Sequence, residues 1–230
     1  YYPFTLPVLR QTPRLEFSTP VTLLAGENGA GKSTFLRALA EAAGVMIWQD
    51  TARLRYERNP YRNRLREFVR VEWAGDRVPG SYFGSDIFEF FTEILDEWAE
   101  SDPGQLKYFG GSSLRSMSHG QSLLTFFRNR YKIPGVYFVD EPETALSPRS
   151  QLELLDLLAK ADGEGGAQYI VATHSPILLA CPGARIYSFD RVPAAPIAYE
   201  ETEHYRVFSE FLEAQRERLA KPRTASKESA

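Results

Sequence analysis

The sequence is short of the features that build stapled or membrane-held folds. It has one cysteine, Cys181, in 230 residues. That excludes an internal disulfide framework and a cysteine-based metal finger. Long hydrophobic runs are missing too. The longest lie at 21–25, 136–139 and 177–181, far short of the roughly 18 apolar residues that a membrane-spanning helix needs. Neither sign of charge dominates: 27 Lys and Arg against 30 Asp and Glu leave −3. This argues against a dedicated nucleic-acid coat and leaves local patches open. There is no internal repeat and no secretory leader pattern. The chain opens Tyr1-Tyr2-Pro3 without Met, so its start is expected to be missing or processed, and a cytoplasmic location is the expectation. What remains is an ordinary globular composition, 43% hydrophobic and 25% charged. A chain of this mass buries roughly 72% of its unfolded surface, enough for one substantial core.

Strand-like and helix-like patterns alternate. Residues 14–17 and 21–25 read as strands around the turn Ser18-Thr19-Pro20, and a glycine-rich loop follows at 26–31. Residues 33–43 carry apolar side chains at helical spacing, with Gly44 as a natural stop. Strands are expected at 45–48 and 68–73, and helices at 87–99 and 118–130. The apolar run 136–139 reads as a buried strand. A helix at 148–161 should follow, with Ser147 as N-cap and Pro148 at its first position. Strands at 168–172 and 185–189 and a last helix at 205–219 complete the pattern. It implies an α/β layered fold with a largely parallel sheet. Residues 45–117 break the rhythm and read as an inserted subregion of a single domain over 1–220, with a polar, frayed tail at 221–230.

The sharpest motif is Gly26-Glu27-Asn28-Gly29-Ala30-Gly31-Lys32-Ser33, followed by Thr34. It matches G-x-x-x-x-G-K-[ST] and sits between a predicted strand and a predicted helix, the context this phosphate loop requires. Its backbone N–H groups and the helix N-terminus would surround phosphate oxygens. Lys32 would reach the β and γ phosphates and Ser33 would ligate Mg²⁺. The second motif, Val136-Tyr137-Phe138-Val139-Asp140-Glu141-Pro142, puts two carboxylates at the C-terminal tip of a buried strand, where open α/β sheets bind ligands. Asp140 can hold Mg²⁺, and Glu141 can orient and deprotonate an attacking water. His174, in Thr173-His174-Ser175, follows a third strand in the same way and can hydrogen-bond phosphate or polarise water. Ser118-His119-Gly120-Gln121 opens a helix. Ser118 is either a simple N-cap or part of a second anion site.

In this order the four elements resemble the ATP-binding-cassette (ABC) ATPases, a branch of the P-loop NTPases. GENGAGKST resembles Walker A, MSHGQS the signature motif with His119 in place of a glycine, and VYFVDEP Walker B with its catalytic glutamate. Ala145-Leu146-Ser147 resembles the D-loop and His174 the switch histidine. The stretches SHGQSLLTFFRNR, DEPETALSP, ATHSPILLACPGA and YEETEHY resemble small stand-alone bacterial ATPases related to the RecF and SMC type. The resemblance implies ATP and Mg²⁺ as cofactors and a head-to-tail dimer. In it, one subunit's 26–33 loop faces Ser118, His119, Gly120 and Gln121 of the other. Two departures stand out. No clean glutamine loop exists. The best positional match is Asp86, which is either a metal or water contact or the N-cap of the helix from Ile87, with Glu89 completing a capping box. For the adenine-stacking aromatic, Tyr2 and Phe4 are the candidates, with core packing as the alternative.

Arg53, Arg55, Arg58, Arg62, Arg64, Arg66 and Arg70, interleaved with Tyr56, Tyr61 and Phe68, form either a surface for nucleic acid or an acidic partner, or a solvated, salt-bridged face. Trp48, Trp73 and Trp98 read as packing residues, Cys181 as a buried thiol, and His204, at the start of the last helix, as either a capping residue or part of a dimer or partner surface. Three functions compete: an ATP-driven switch in DNA repair or phage defence, the ATPase subunit of a membrane transporter, and a non-hydrolysing nucleotide-gated module. The sequence names no protein partner. Long coiled-coil arms are excluded, because no heptad pattern lies between Ser33 and Ser118.

Overall fold

The computed structural model describes residues 1–47, 61, 64–102, 104, 106, 111, 113–117, 119–130, 133–162 and 166–220. Six strands form one sheet in the order β2-β3-β4-β1-β5-β6. These are β1 (Val21–Ala25), β2 (Gly80–Gly84), β3 (Gly135–Asp140), β4 (Ala167–Ala172), β5 (Arg185–Ser188) and β6 (Ala195–Ile197). All pairings are parallel except the edge pair β5–β6. The helices are α1 (Pro7–Gln11), α2 (Lys32–Ala42), α3 (Ser85–Ser101), α4 (His119–Arg130), α5 (Pro148–Ala159), α6 (Pro176–Leu179) and α7 (Glu203–Ala220).

Alternation along the strands divides the core between the two faces of the sheet. Leu23, Val139 and Val171 point to one side, against Phe88 and Leu95 of α3, Phe127 of α4, Leu154 of α5 and Leu178 of α6. Leu24, Phe138 and Ile170 point to the other, against Val8 of α1 and Leu36 and Leu39 of α2. With both faces covered, the central strands are nearly all apolar, Thr22 of β1, Asp140 of β3 and Gln168 of β4 apart, as is usual for parallel strands. Burial of these residues is the main stabilising term, at roughly 1.5–3 kcal/mol for each large side chain.

Several expected elements are different. Residues 14–17 form no strand. Their backbone is satisfied by side chains: the Tyr187 hydroxyl bonds both the N–H and the carbonyl of Glu16, and Gln168 Nε2 donates to Phe17 O. Residues 45–47 are not strand either. Residues 65–68 form a 3-10 turn, and 69–73 run extended with Val69, Val71 and Trp73 against the α2-side core. The edge strand β2 stands in the inserted subregion, at residues where no element was expected. Gly80 permits it, because a Cβ there would lie 2.4 Å from the Val136 carbonyl. Helix α3 starts at Ser85 with Gly84 as its N-cap, so Asp86 lies within the first turn and does not cap. Its buried stripe runs through Phe88, Thr92 and Leu95, whereas Trp98 is 45% exposed. Cys181 is buried as expected, and burial pushes its thiol up to about 11. Trp48 and the tail 221–230 lie outside the described residues. No described helix is long and apolar enough to cross a membrane. The outer face of α7 is apolar and uncovered: Val207, Phe208, Phe211 and Leu212 are each at least half exposed.

Candidate nucleotide site

Strand register brings the predicted motifs to one edge. Gly84 pairs with Asp140, Asp140 with Ala172, and Ala172 with Leu24. The residues that follow these positions therefore leave the sheet side by side: Asp86 after β2, Glu141 after β3, His174 after β4 and the 26–31 loop after β1. Strand β4 lies between β1 and β3, so His174 emerges between the loop and the acidic pair.

The loop turns through Gly26, Gly29 and Gly31, all at positive φ. Gly31 also packs so closely that a Cβ would meet Leu6 Cδ1 at 2.8 Å. Phe35 N–H donates to Gly31 O, which starts α2 directly at Lys32. Glu27 N–H donates to Asp190 Oδ1 at 2.8 Å, tying the loop to the residues after β5. Lys32 is 3% exposed. Its ammonium donates to Gly26 O at 2.7 Å, Glu27 O at 3.1 Å and His174 Nε2 at 2.8 Å. Burial lowers its pKa, while the charges of Glu141, Asp190, Asp140 and Glu143 oppose the shift. Its hydrogen-bond partners among the described residues are all neutral, so a buried cation stands ready for an anion.

Asp140 sits at the tip of β3, where its Oδ2 accepts the Tyr82 hydroxyl at 2.8 Å. Glu141 is the one non-glycine residue at positive φ among those described, at 45°. A backbone held in that region is strained, and such strain concentrates at functional sites. Glu141 Oε1 lies 3.5 Å from His174 Nε2. Burial first, and the Lys32 charge second, lower the His174 pKa, so its ring is neutral near pH 7.

Two residues at this edge, Glu143 and Asp190, have no role in the sequence reading, and a third, His204, was expected to cap the last helix or face a partner. Glu143, in the 3-10 turn 142–145, turns its carboxyl toward the β4 tip. Its Oε1 accepts the His174 N–H at 2.5 Å, the Thr173 side chain also bonds it, and burial raises its pKa. Asp190 holds the loop. His204, at the start of α7, places its Nε2 3.2 Å from His174 Nδ1. The signals were in the sequence: a third acid in DEPE, an acid just after β5, and a histidine in TEHY.

The remaining candidates spread out. Ser118 lies outside the described residues, while His119, Gly120 and Gln121 open α4. Gly120 lies close to the D-loop-like turn, since a Cβ there would sit 3.1 Å from Ala145 O. The side chain of Asp86 is outside the described residues. Tyr2 hydroxyl bonds Thr34 Oγ1 in the first turn of α2, whereas Phe4 packs edge-on against Phe68. Of the arginines, Arg53, Arg55, Arg58 and Arg62 lie outside the described residues. Arg64 pairs with Glu67 at 3.0 Å and Arg70 with Glu72 at 3.6 Å, and Arg66 is exposed.

Two family models match the segments that carry this geometry. Residues 6–74 match an AAA domain, and residues 112–180 match an AAA domain described as putative AbiEii toxin, Type IV TA system. The chain is also 27% identical over 168 residues to the daunorubicin resistance ATP-binding protein DrrA3 of Streptomyces coeruleorubidus. The chain is similar to ABC-type P-loop ATPases. The matched stretch covers 64% of this chain and 49% of DrrA3, so the chain spans about half of that curated relative. Among solved structures it is similar to the SMC head domain from Thermotoga maritima, at 16% identity and a TM-score of 0.42, covering 81% of this chain and 94% of that one. It is likewise similar to a putative metal-chelate type ABC transporter in an inward-facing conformation, at 16% identity and a TM-score of 0.41, covering 81% and 75%.

Proposed function

We propose that this ATPase binds Mg·ATP and hydrolyses it to ADP and phosphate in a head-to-tail dimer that closes on ATP and opens after hydrolysis. The observation that carries the reading is the buried Lys32 ammonium. Its neutral partners are two loop carbonyls and an imidazole, and a polyphosphate would bind it more strongly than any of them. The donor set also suits Mg²⁺: the Ser33 hydroxyl and the Asp140 carboxylate are hard oxygen ligands. Mg²⁺ bound there would draw charge from the β and γ phosphate oxygens. Glu141 orients the water that attacks the γ-phosphorus and accepts its proton, and ADP leaves. His174 contacts the γ-phosphate beside Glu141. Ser118, Gly120 and their neighbours act from the second copy. The domain spans 1–220, with 45–117 as the inserted subregion.

Two biological settings have support. A switch in DNA repair or phage defence draws on the likeness of YEETEHY and DEPETALSP to RecF-type ATPases and on the toxin–antitoxin family description. An ATPase subunit serving a membrane protein draws on the similarity to DrrA3. Co-purification of a membrane subunit would select the second.

The deciding experiment is ATP binding and single-turnover hydrolysis by wild type, Lys32→Ala and Glu141→Gln. Lys32→Ala should lose nucleotide binding. Glu141→Gln should retain it while hydrolysis slows by about 100-fold or more, the usual worth of a general base. Wild-type turnover in Glu141→Gln would remove Glu141 as the base.

A further inference from the structure

We infer that His204 is a positioning residue for His174, holding its ring by a hydrogen bond at Nδ1 both before and after His174 turns from Lys32 to phosphate. The inference rests on the ATPase reading of the site. It starts from proton counting. An ammonium has three N–H donors and accepts nothing. Lys32 spends them on Gly26 O, Glu27 O and His174 Nε2. His174 Nε2 is therefore a bare acceptor. A neutral imidazole carries one N–H, so that of His174 is on Nδ1 and points to His204 Nε2, 3.2 Å away. His204 Nε2 must then be bare, with its own proton on Nδ1.

Phosphate reverses these demands. A phosphate oxygen accepts, so His174 can meet it only with an Nε2–H. Its Nδ1 is then bare and needs a donor. His204 supplies one once the His174 Nδ1 proton has crossed the hydrogen bond to its Nε2; His204 releases its own Nδ1 proton to water and His174 Nε2 takes one from water, so both rings stay neutral. A histidine can accept and donate at the same atom in this way, which an alkyl or aromatic side chain cannot. The second nitrogen of a working histidine is commonly fixed by such a partner, and loss of the partner costs about 10–100-fold at metal-bound histidines.

The ordinary explanation of His204 as a helix cap does not hold. Thr202 caps α7: its Oγ1 accepts Tyr205 N–H at 3.2 Å, and its carbonyl accepts Arg206 N–H at 3.2 Å. The His204 ring is half-buried against His174, with ring centroids 5.4 Å apart.

The test uses the full chain as wild type, His204→Phe and His204→Gln. Phenylalanine keeps a ring and loses the hydrogen bond, whereas a glutamine amide can accept or donate. His204→Phe should bind ATP within about threefold of wild type but lose about tenfold in kcat, and His204→Gln should recover most of it. Nitrogen-15 spectra of the nucleotide-free protein give a readout that needs no turnover. Wild type and His204→Gln should show a slowly exchanging Nδ1–H on His174, and His204→Phe should lose it. The inference is overturned by an Nε2–H on His174 in the free protein, by unchanged kcat in His204→Phe, or by equal damage in both variants. A wild type that neither binds nor hydrolyses Mg·ATP sinks the ATPase reading instead, and the spectra still judge the histidine pair.

Discussion

At the residue scale, the site is a set of ionisable groups whose burial is opposed by their neighbours. Glu143 shows this most plainly. Its carboxyl braces the His174 backbone, and burial raises its pKa from 4.5. A raised carboxyl supports the fold most fully below its unfolded value. That support is lost as pH rises through the folded value. Glu143→Gln keeps an acceptor for the His174 N–H and removes the buried charge. Its melting temperature should therefore match wild type near pH 4 and gain on it steadily as pH rises above 4.5. A gap that shrinks with rising pH would contradict this placement of the carboxyl. Much of the candidate site was legible in the sequence. Lys32, Asp140, Glu141 and His174 stand in motifs whose spacing ties each to a strand tip, and the structure gathers them at one edge. Glu143 and Asp190 were not assigned, and His204 was read as a cap or a partner-surface residue. Their partners are 31, 163 and 30 residues away in the chain, and no local pattern reports such a contact.

At the scale of elements, legibility followed the strength of local signals. β1, β3 and β4 are apolar runs buried on both faces, and α5 carries the Ser147 cap, which accepts from Ser150 N–H. Weak or misleading signals failed. β2 has only Tyr82 and Phe83 between glycines and exists because β3 offers it a ladder. Residues 14–17 and 68–73 have strand composition, but they run over the α2 side of the fold and form no ladder. Phe138 is the best test of the layered core. It is 1% exposed on β3, two residues before Asp140. Phe138→Ala should cost about 3–5 kcal/mol in urea unfolding, the range for a buried aromatic. A loss below about 1 kcal/mol would mean that this face of β3 is loosely packed.

At the scale of the whole molecule, the proposed trans site makes activity a collective property. One copy carries the phosphate loop and the other would supply the 118–121 segment. Phosphate release per subunit should therefore climb with protein concentration and level off once the dimer dominates. A rate per subunit that stays flat across a hundredfold dilution would mean that one chain hydrolyses ATP alone. Added DNA should raise the rate further if the arginine-rich stretch touches it. The arginines described there favour the bland alternative, because Arg64 and Arg70 already hold glutamates.

The contact between His174 and His204 also has a mechanical side. α7 has 18 residues and so is about 27 Å long. It meets His174 at its first turn, and Val207, Phe208, Phe211 and Leu212 further along it are exposed. A rod held at one end amplifies: a tilt of about 5° at the histidine pair carries the other end through about 2 Å. The short arm of this lever is the hydrogen bond between the two histidines, and the long arm carries Phe211 and Leu212.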